Sequence, residues 1–206
     1  VSSGTYAEAV TTATGGITLR ATGTAIIAPP AGIGITVNHT GVLIEGFTFQ
    51  GGLQAIKANG ADGLTVRECT TSAQTGTAIS VSDTDGVMIE GNAIDAPAGR
   101  GILAERSTDV HVTDNAVTDA GEWAIQLDAT GLASPSADNE VSGNTVTDPG
   151  QVSPAGAIDL VYSTGVAIGN TTTGGQHGIR ASLADDLVVR GSSVTGPASN
   201  GIYVID

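Results

Sequence analysis

The segment from Gly76 to Val117 says the same thing twice, and that duplication restricts the possible folds more than any other feature of the chain. Thr77–Val81 and Gly86–Ile94 are answered by Arg100–Ala104 and Asp109–Val117. Ile79 to Ile102 and Asn92 to Asn115 are both steps of 23 residues, and a fixed period of this size marks a solenoid. Each copy holds three short apolar alternations divided by Gly, Asp and Asn. Strands this short cannot form a sheet with their sequence neighbours. Their backbone groups can be satisfied only by the next turn of chain, about 4.8 Å away.

The pattern extends in both directions from the duplication. A small residue precedes an isoleucine at Gly34-Ile35, Ala55-Ile56, Ala78-Ile79, Gly101-Ile102, Ala124-Ile125, Ala157-Ile158, Gly178-Ile179 and Gly201-Ile202. Alternation with period two turns Ile35/Val37, Ile79/Val81, Ile125/Leu127 and Ile158/Leu160 inward. A second strand follows with Val42/Ile44, Leu64/Val66, Val87/Ile89, Val110/Val112, Val166/Ile168 and Leu187/Val189 inward, and a third with Phe49, Ile94, Val117, Val146 and Val194. The expectation is an all-β single domain over residues 1–206, with roughly eight coils of three parallel strands. Residues 1–16 form an N-terminal cap, and Ile17-Thr18-Leu19 opens the first strand. Only 3% of residues are aromatic although 40% are hydrophobic, so aliphatic side chains must fill the tube.

This pattern resembles the right-handed, single-stranded parallel β-helix of the pectate-lyase-like superfamily, most closely its generic repeat proteins such as NosD-like and mannuronan-epimerase-like chains. Gly4-Thr5-Tyr6-Ala7-Glu8 is similar to the Gly-Thr-Tyr-x-Glu opening of that group. Asn92, Asn115, Asn144 and Asn170 hold the position where such proteins stack asparagines, with Phe47, Cys69 and Ser192 in the matching place of other coils. The resemblance implies action on, or binding of, extracellular polysaccharide by a secreted or cell-surface protein. The catalytic motifs of pectate lyases, polygalacturonases and epimerases are absent from this sequence.

The repeat breaks once. Ile125 to Ile158 is longer than its neighbouring intervals, with extra residues near 129–139 and 148–154, and solenoid insertions gather on a binding face. Both should flank the first sheet. Its outward columns are Thr36, Lys57, Ser80, Leu103, Gln126, Asp159, Arg180, Tyr203 and Asn38, Asn59, Ser82, Glu105, Asp128, Val161, Ser182, Ile205. Glu105, Gln126, Asp128, Asp159 and Arg180 therefore gather beside the insertions, with Trp123, Tyr162, His177 and Tyr203 near. If the chain is catalytic, Asp128 and Asp159 form the acid/base pair, Glu105 is the nearby substitute and Arg180 orients the substrate. Gln126, Trp123, Tyr162, His177 and Tyr203 are the substrate-binding candidates.

A net charge of −14 argues against a nucleic-acid surface, which needs Lys and Arg to neutralise phosphate. It suits a secreted, highly soluble or salt-adapted protein. No apolar run approaches a membrane span. No basic-then-apolar signal opens the chain, so an exported form would have lost its signal or carry it on a larger precursor. His39, His111 and His177 lie on different coils or faces, and no zinc site or organic cofactor is expected. In the Asp-rich turns Asp83-Thr84-Asp85 and Asp185-Asp186, Ca²⁺ is the alternative to side chains bonding their own backbone. The second functional class is a structural module, a stalk, adhesin or filament subunit. It would self-associate, or continue into a larger protein, through the coil ending Ile202-Tyr203-Val204-Ile205.

Overall fold

The structure, a computed structural model, describes residues 1–150, 155–184 and 186–205. Three parallel sheets run the length of a β-solenoid, of nine, eight and nine strands among the described residues. The first sheet includes Ile79–Ser82, Ile102–Glu105, Ile125–Asp128, Gly156–Val161, His177–Ser182 and Asn200–Ile205. The second includes Asp85–Glu90, Thr108–Thr113, Ser136–Ser142, Ser163–Ile168 and Leu187–Arg190, and the third runs from Gly4–Tyr6 to Ser193–Thr195. Every strand pairs with its counterpart one coil away. Ile79 lies opposite Ile56 and Ile102, and Ile102 opposite Ile125. No helix among the described residues is long and apolar enough to cross a membrane.

The solenoid starts earlier than the apolar pattern indicates. Gly4–Tyr6 already pairs with Ala25–Ile27, and Val10–Thr11 pairs with Ile35 and Thr36. The residues read as a cap thus contribute the first strand of two sheets, which makes about nine turns. Corners recur in register, and many place one residue at positive φ: Asp83, Arg106, Tyr162 and Leu183 after the first strand, Gly91, Asp114, Gly143 and Gly169 after the second. Glycine and aspartate suit this region because they tolerate or locally stabilise a left-handed bend. Arg106, Tyr162 and Leu183 do not, and they are held there by the ladders on either side.

Inward aliphatic side chains fill the tube. Ile35, Ile56, Ile79, Ile102, Ile125, Ile158 and Ile179 stack in one column, and Phe49, Ile94, Val117 and Val146 in another, all buried. The inward residue of the seventh coil's second strand is Ala167, which pairs with Val141 and Val189. The alternation of apolar residues places Val166 and Ile168 there. Both instead point outward and are half-buried, since apolar residues on both faces of the strand leave its parity open. Upstream of them the register shifts by one residue between Ser136 and Asn139 opposite Ser163 and Gly165. That shift, with Asp138 at positive φ, is part of how the chain absorbs the insertion near 129–139. The insertion near 148–154 falls partly on residues 151–154, outside the described residues, as does Asp185.

The asparagine column is a continuous polar spine inside the apolar tube. The Oδ1 of Asn115 accepts from the backbone N–H and the Nδ2 of Asn92 at 3.0 and 2.9 Å; Asn144 serves Asn115, and Asn170 serves Asn144, in the same way. Each Nδ2 also donates to a strand carbonyl of the preceding coil: Val66, Ile89, Val112 and Val141 in turn. Cys69 donates its backbone N–H to Asn92 and is itself buried, with burial pushing its thiol up to about 11. Asn170 is fully buried, so the Asn-x-Thr motif Asn170-Thr171-Thr172 cannot be a glycosylation site in the folded chain.

Candidate functional site

The outward face of the first sheet carries three columns over the coils that flank the insertions. The ladder aligns Leu103, Gln126, Asp159, Arg180 and Tyr203 in one column, and Glu105, Asp128, Val161, Ser182 and Ile205 in the next. A third column lies before them, where Gly156 pairs with His177 and His177 with Asn200; two residues ahead of Ile125 and Ile102, Trp123 and Arg100 hold its place. Pointing outward does not mean meeting solvent here. Leu103 is 7% exposed, Gln126 6% and Asp159 0%.

Asp159 is the centre of the arrangement. Arg180 approaches it with two hydrogen bonds of 2.7 Å, from Nε to Oδ1 and from Nη2 to Oδ2, and the Nε2 of Gln126 donates to Oδ2 at 2.8 Å. Gln126 in turn accepts from the Nε of Arg100, whose Nη1 lies 3.0 Å from Glu122. Burial pushes the Asp159 carboxyl upward, while Arg180 and Gln126 pull the other way; the bonded carboxylate raises the Arg180 guanidinium. A carboxylate taken wholly out of water is stable only with such partners.

Aromatic rings complete the stripe. Arg180 stands over the Trp123 ring, 4.7 Å from its centroid. Trp123 stacks on His177 with centroids 6.1 Å apart, and His177 on Tyr203 at 5.5 Å, both near parallel. Gly156 makes this possible, since a Cβ there would sit 2.8 Å from Cζ3 of Trp123 and 2.3 Å from the His177 carbonyl. Burial and the nearby Arg180 charge lower the His177 pKa, against Asp159. Trp123 and His177 are buried, and Tyr203 at the end of the stack is 38% exposed.

Glu105 and Asp128 stand apart from this network. They are ladder partners on adjacent coils and half-buried. Asp128 accepts from the backbone N–H and the Oγ1 of Thr130 at 3.0 and 2.6 Å. Arg106, at the neighbouring corner, is already bound to Asp83 through bonds of 2.8 and 2.7 Å. Tyr162 occupies the corner after Val161 and makes no ring contact with the stack among the described residues. The structure thus brings Gln126, Asp159, Arg180, Trp123, His177 and Tyr203 together, sets Glu105 and Asp128 beside them and leaves Tyr162 at the rim. Arg100 completes the network although the alternation pattern did not single it out; its place two residues ahead of Ile102, as Trp123 is ahead of Ile125, was the available signal. No group of three His, Cys, Asp or Glu that could hold a metal ion occurs among the described residues.

Several solved structures share this architecture. The alginate lyase from Paenibacillus sp. str. FPU-7 is 13% identical, with a TM-score of 0.60 over 100% of this chain and 91% of that one. The Streptococcus pneumoniae surface protein and adhesin PfbA is 14% identical, with a TM-score of 0.65 over 93% of this chain and 67% of that one. The catalytic domain of a GH87 α-1,3-glucanase in complex with tetrasaccharides is 11% identical, with a TM-score of 0.67 over 98% of this chain and 50% of that one. At such identities the likeness is one of fold. No curated protein matches the sequence. The model of the family described as "Right handed beta helix region" matches residues 15–173, and with three parallel sheets observed along that span, the chain belongs to the right-handed β-helix family.

Proposed function

We propose that this chain is a glycan-binding β-helix domain whose ligand lies along the outward face of the first sheet, across the coils of Glu105, Asp128, Asp159 and Arg180. The observation that carries the reading is the fully buried Asp159 on the outside of the solenoid. Such a group adds nothing to the aliphatic core and costs desolvation. Its effect is to fix Arg180 rigidly on Trp123, beside an aromatic stack. Preformed polar groups next to the Tyr203 ring, the exposed end of the aromatic stack, suit a pyranose, whose hydroxyls need directional partners and whose C–H face stacks on rings. The polysaccharide- and oligosaccharide-related structural neighbours agree with this reading.

If the domain also cleaves its ligand, Glu105 and Asp128 are the carboxylates placed to act, since Asp159 is occupied by Arg180 and Gln126. Hydrolysis would need one as acid and the other as base or nucleophile. The test is binding to an array of polysaccharides by the full chain and by Arg180→Lys and Glu105→Gln. Lysine keeps the charge but loses the two-point clamp and the planar stacking, so both variants should lose binding while keeping the β-rich fold by circular dichroism. Unchanged binding in both would end the proposal.

A further inference from the structure

We infer that the ligand of the first sheet is an uncharged polysaccharide and not a polyuronate, an inference that rests on the glycan-binding reading above and narrows it. The ground is the pairing of the basic side chains. Of the seven Lys and Arg residues, five are committed to carboxylates. Arg20 and Arg67 hold Glu45 on the second sheet. Near the candidate site, Arg100 is bound to Glu122, Arg106 to Asp83 and Arg180 to Asp159. Only Lys57 and Arg190 carry no ion pair among the described residues: Arg190 is on the second sheet, and Lys57, in the same outward column of the first sheet, stands two coils before Leu103.

Each cation at the site therefore arrives with its own anion. Glu105 and Asp128 remain, side by side and without a basic partner among the described residues. The stripe is locally negative on a chain whose net charge is −14. A uronate polymer presents a carboxylate on every residue and over these coils would meet like charge, with no unpaired cation among their described residues to receive it. A neutral sugar meets the opposite situation: its hydroxyls donate to the Glu105 and Asp128 carboxylates in charge-assisted hydrogen bonds, and its hydroxyl oxygens accept from Arg180. The pairing of Arg180 with Asp159 thus makes it a neutral, oriented donor group instead of an anion receptor.

The experiment compares affinities of the full chain for α-glucan, β-glucan, mannan, alginate and polygalacturonate at about 0.01 M and about 0.1 M salt, where the Debye length is about 30 Å and about 10 Å. The expected result is saturable binding of at least one neutral polymer with no dependence on salt. Polyuronates should bind weaker by about tenfold or more, and their residual binding should strengthen as salt screens the repulsion. Glu105→Gln with Asp128→Asn should weaken the neutral polymer and remove the salt-dependent repulsion of the polyuronates. Polyuronate binding as tight as any neutral polymer's, weakening with salt and lost in Arg180→Lys, overturns this inference and leaves the first-sheet reading standing. No binding of any polymer overturns both.

Discussion

Replacing Asn115 by alanine should cost the fold about 3–5 kcal/mol, far more than the loss of one surface amide. Asn115 is 1% exposed, and its Oδ1 is the acceptor given to both the backbone N–H and one amide hydrogen of Asn92. Truncation leaves both donors inside the tube without a partner, at about 1–3 kcal/mol each, and removes a donor from the Ile89 carbonyl. The Thr113 carbonyl still accepts from Gly91, and Asn144 keeps the backbone N–H of Asn115, so the damage is confined to one step of the spine. For a chain of this size each kcal/mol moves Tm by about 2–4 °C, which predicts a fall of between about 6 and about 20 °C in thermal unfolding followed by circular dichroism. Asn115→Asp, which keeps the acceptors but loses the donor and brings a charge into the tube, should be no better tolerated. A fall below about 3 °C for Asn115→Ala would refute the idea that the spine satisfies these backbone groups.

Three further outcomes follow from particular contacts. Thr71 and Thr172 are buried in the third sheet's inward column and their hydroxyls find no partner among the described residues, so Thr71→Val and Thr172→Val should each stabilise the fold by about 1 kcal/mol in chemical denaturation. Asp159→Ala strands Arg180 and Gln126 and should destabilise by about 3–5 kcal/mol in the same assay. Because the folded His177 pKa lies below its ordinary value, the unfolded chain binds the proton more readily. Stability conferred by neutral His177 is complete above about pH 6.5 and is lost as pH falls through the folded pKa. Emission of Trp123, the single tryptophan, should report that titration with a midpoint below the free-imidazole value, and His177→Gln should abolish it.

Much of this fold was legible because a ladder of identical coils repeats one message. Alternation placed Gln126, Asp159, Arg180 and Tyr203 in one outward column and Glu105 beside Asp128, as the ladder has them. It failed at Val166 and Ile168, where apolar residues on both faces of a strand made the register ambiguous. Counting back three residues from the asparagine spine would have resolved it. Ile89, Val112 and Val141 stand three before Asn92, Asn115 and Asn144, and Ala167 stands three before Asn170. The strands in the opening segment were hidden because Gly4–Tyr6 and Val10–Thr11 bury little.

Burial at the site was less readable than direction. Period two says which face a side chain takes, but not that its neighbours will cover it. Asp159 is sealed by Gln126 and Arg180, residues distant in sequence, and the Trp123 ring lies where Gly156 leaves room. A glycine opposite a tryptophan one coil away is a cue that becomes visible only after the register is known.

Where a bound sugar sits decides whether the first sheet holds a glycan. A crystal structure of the chain with a saturating neutral oligosaccharide should show the sugar along that sheet, within hydrogen-bonding distance of Arg180 and Glu105. A sugar ordered only on the second or third sheet would rule out binding by the first.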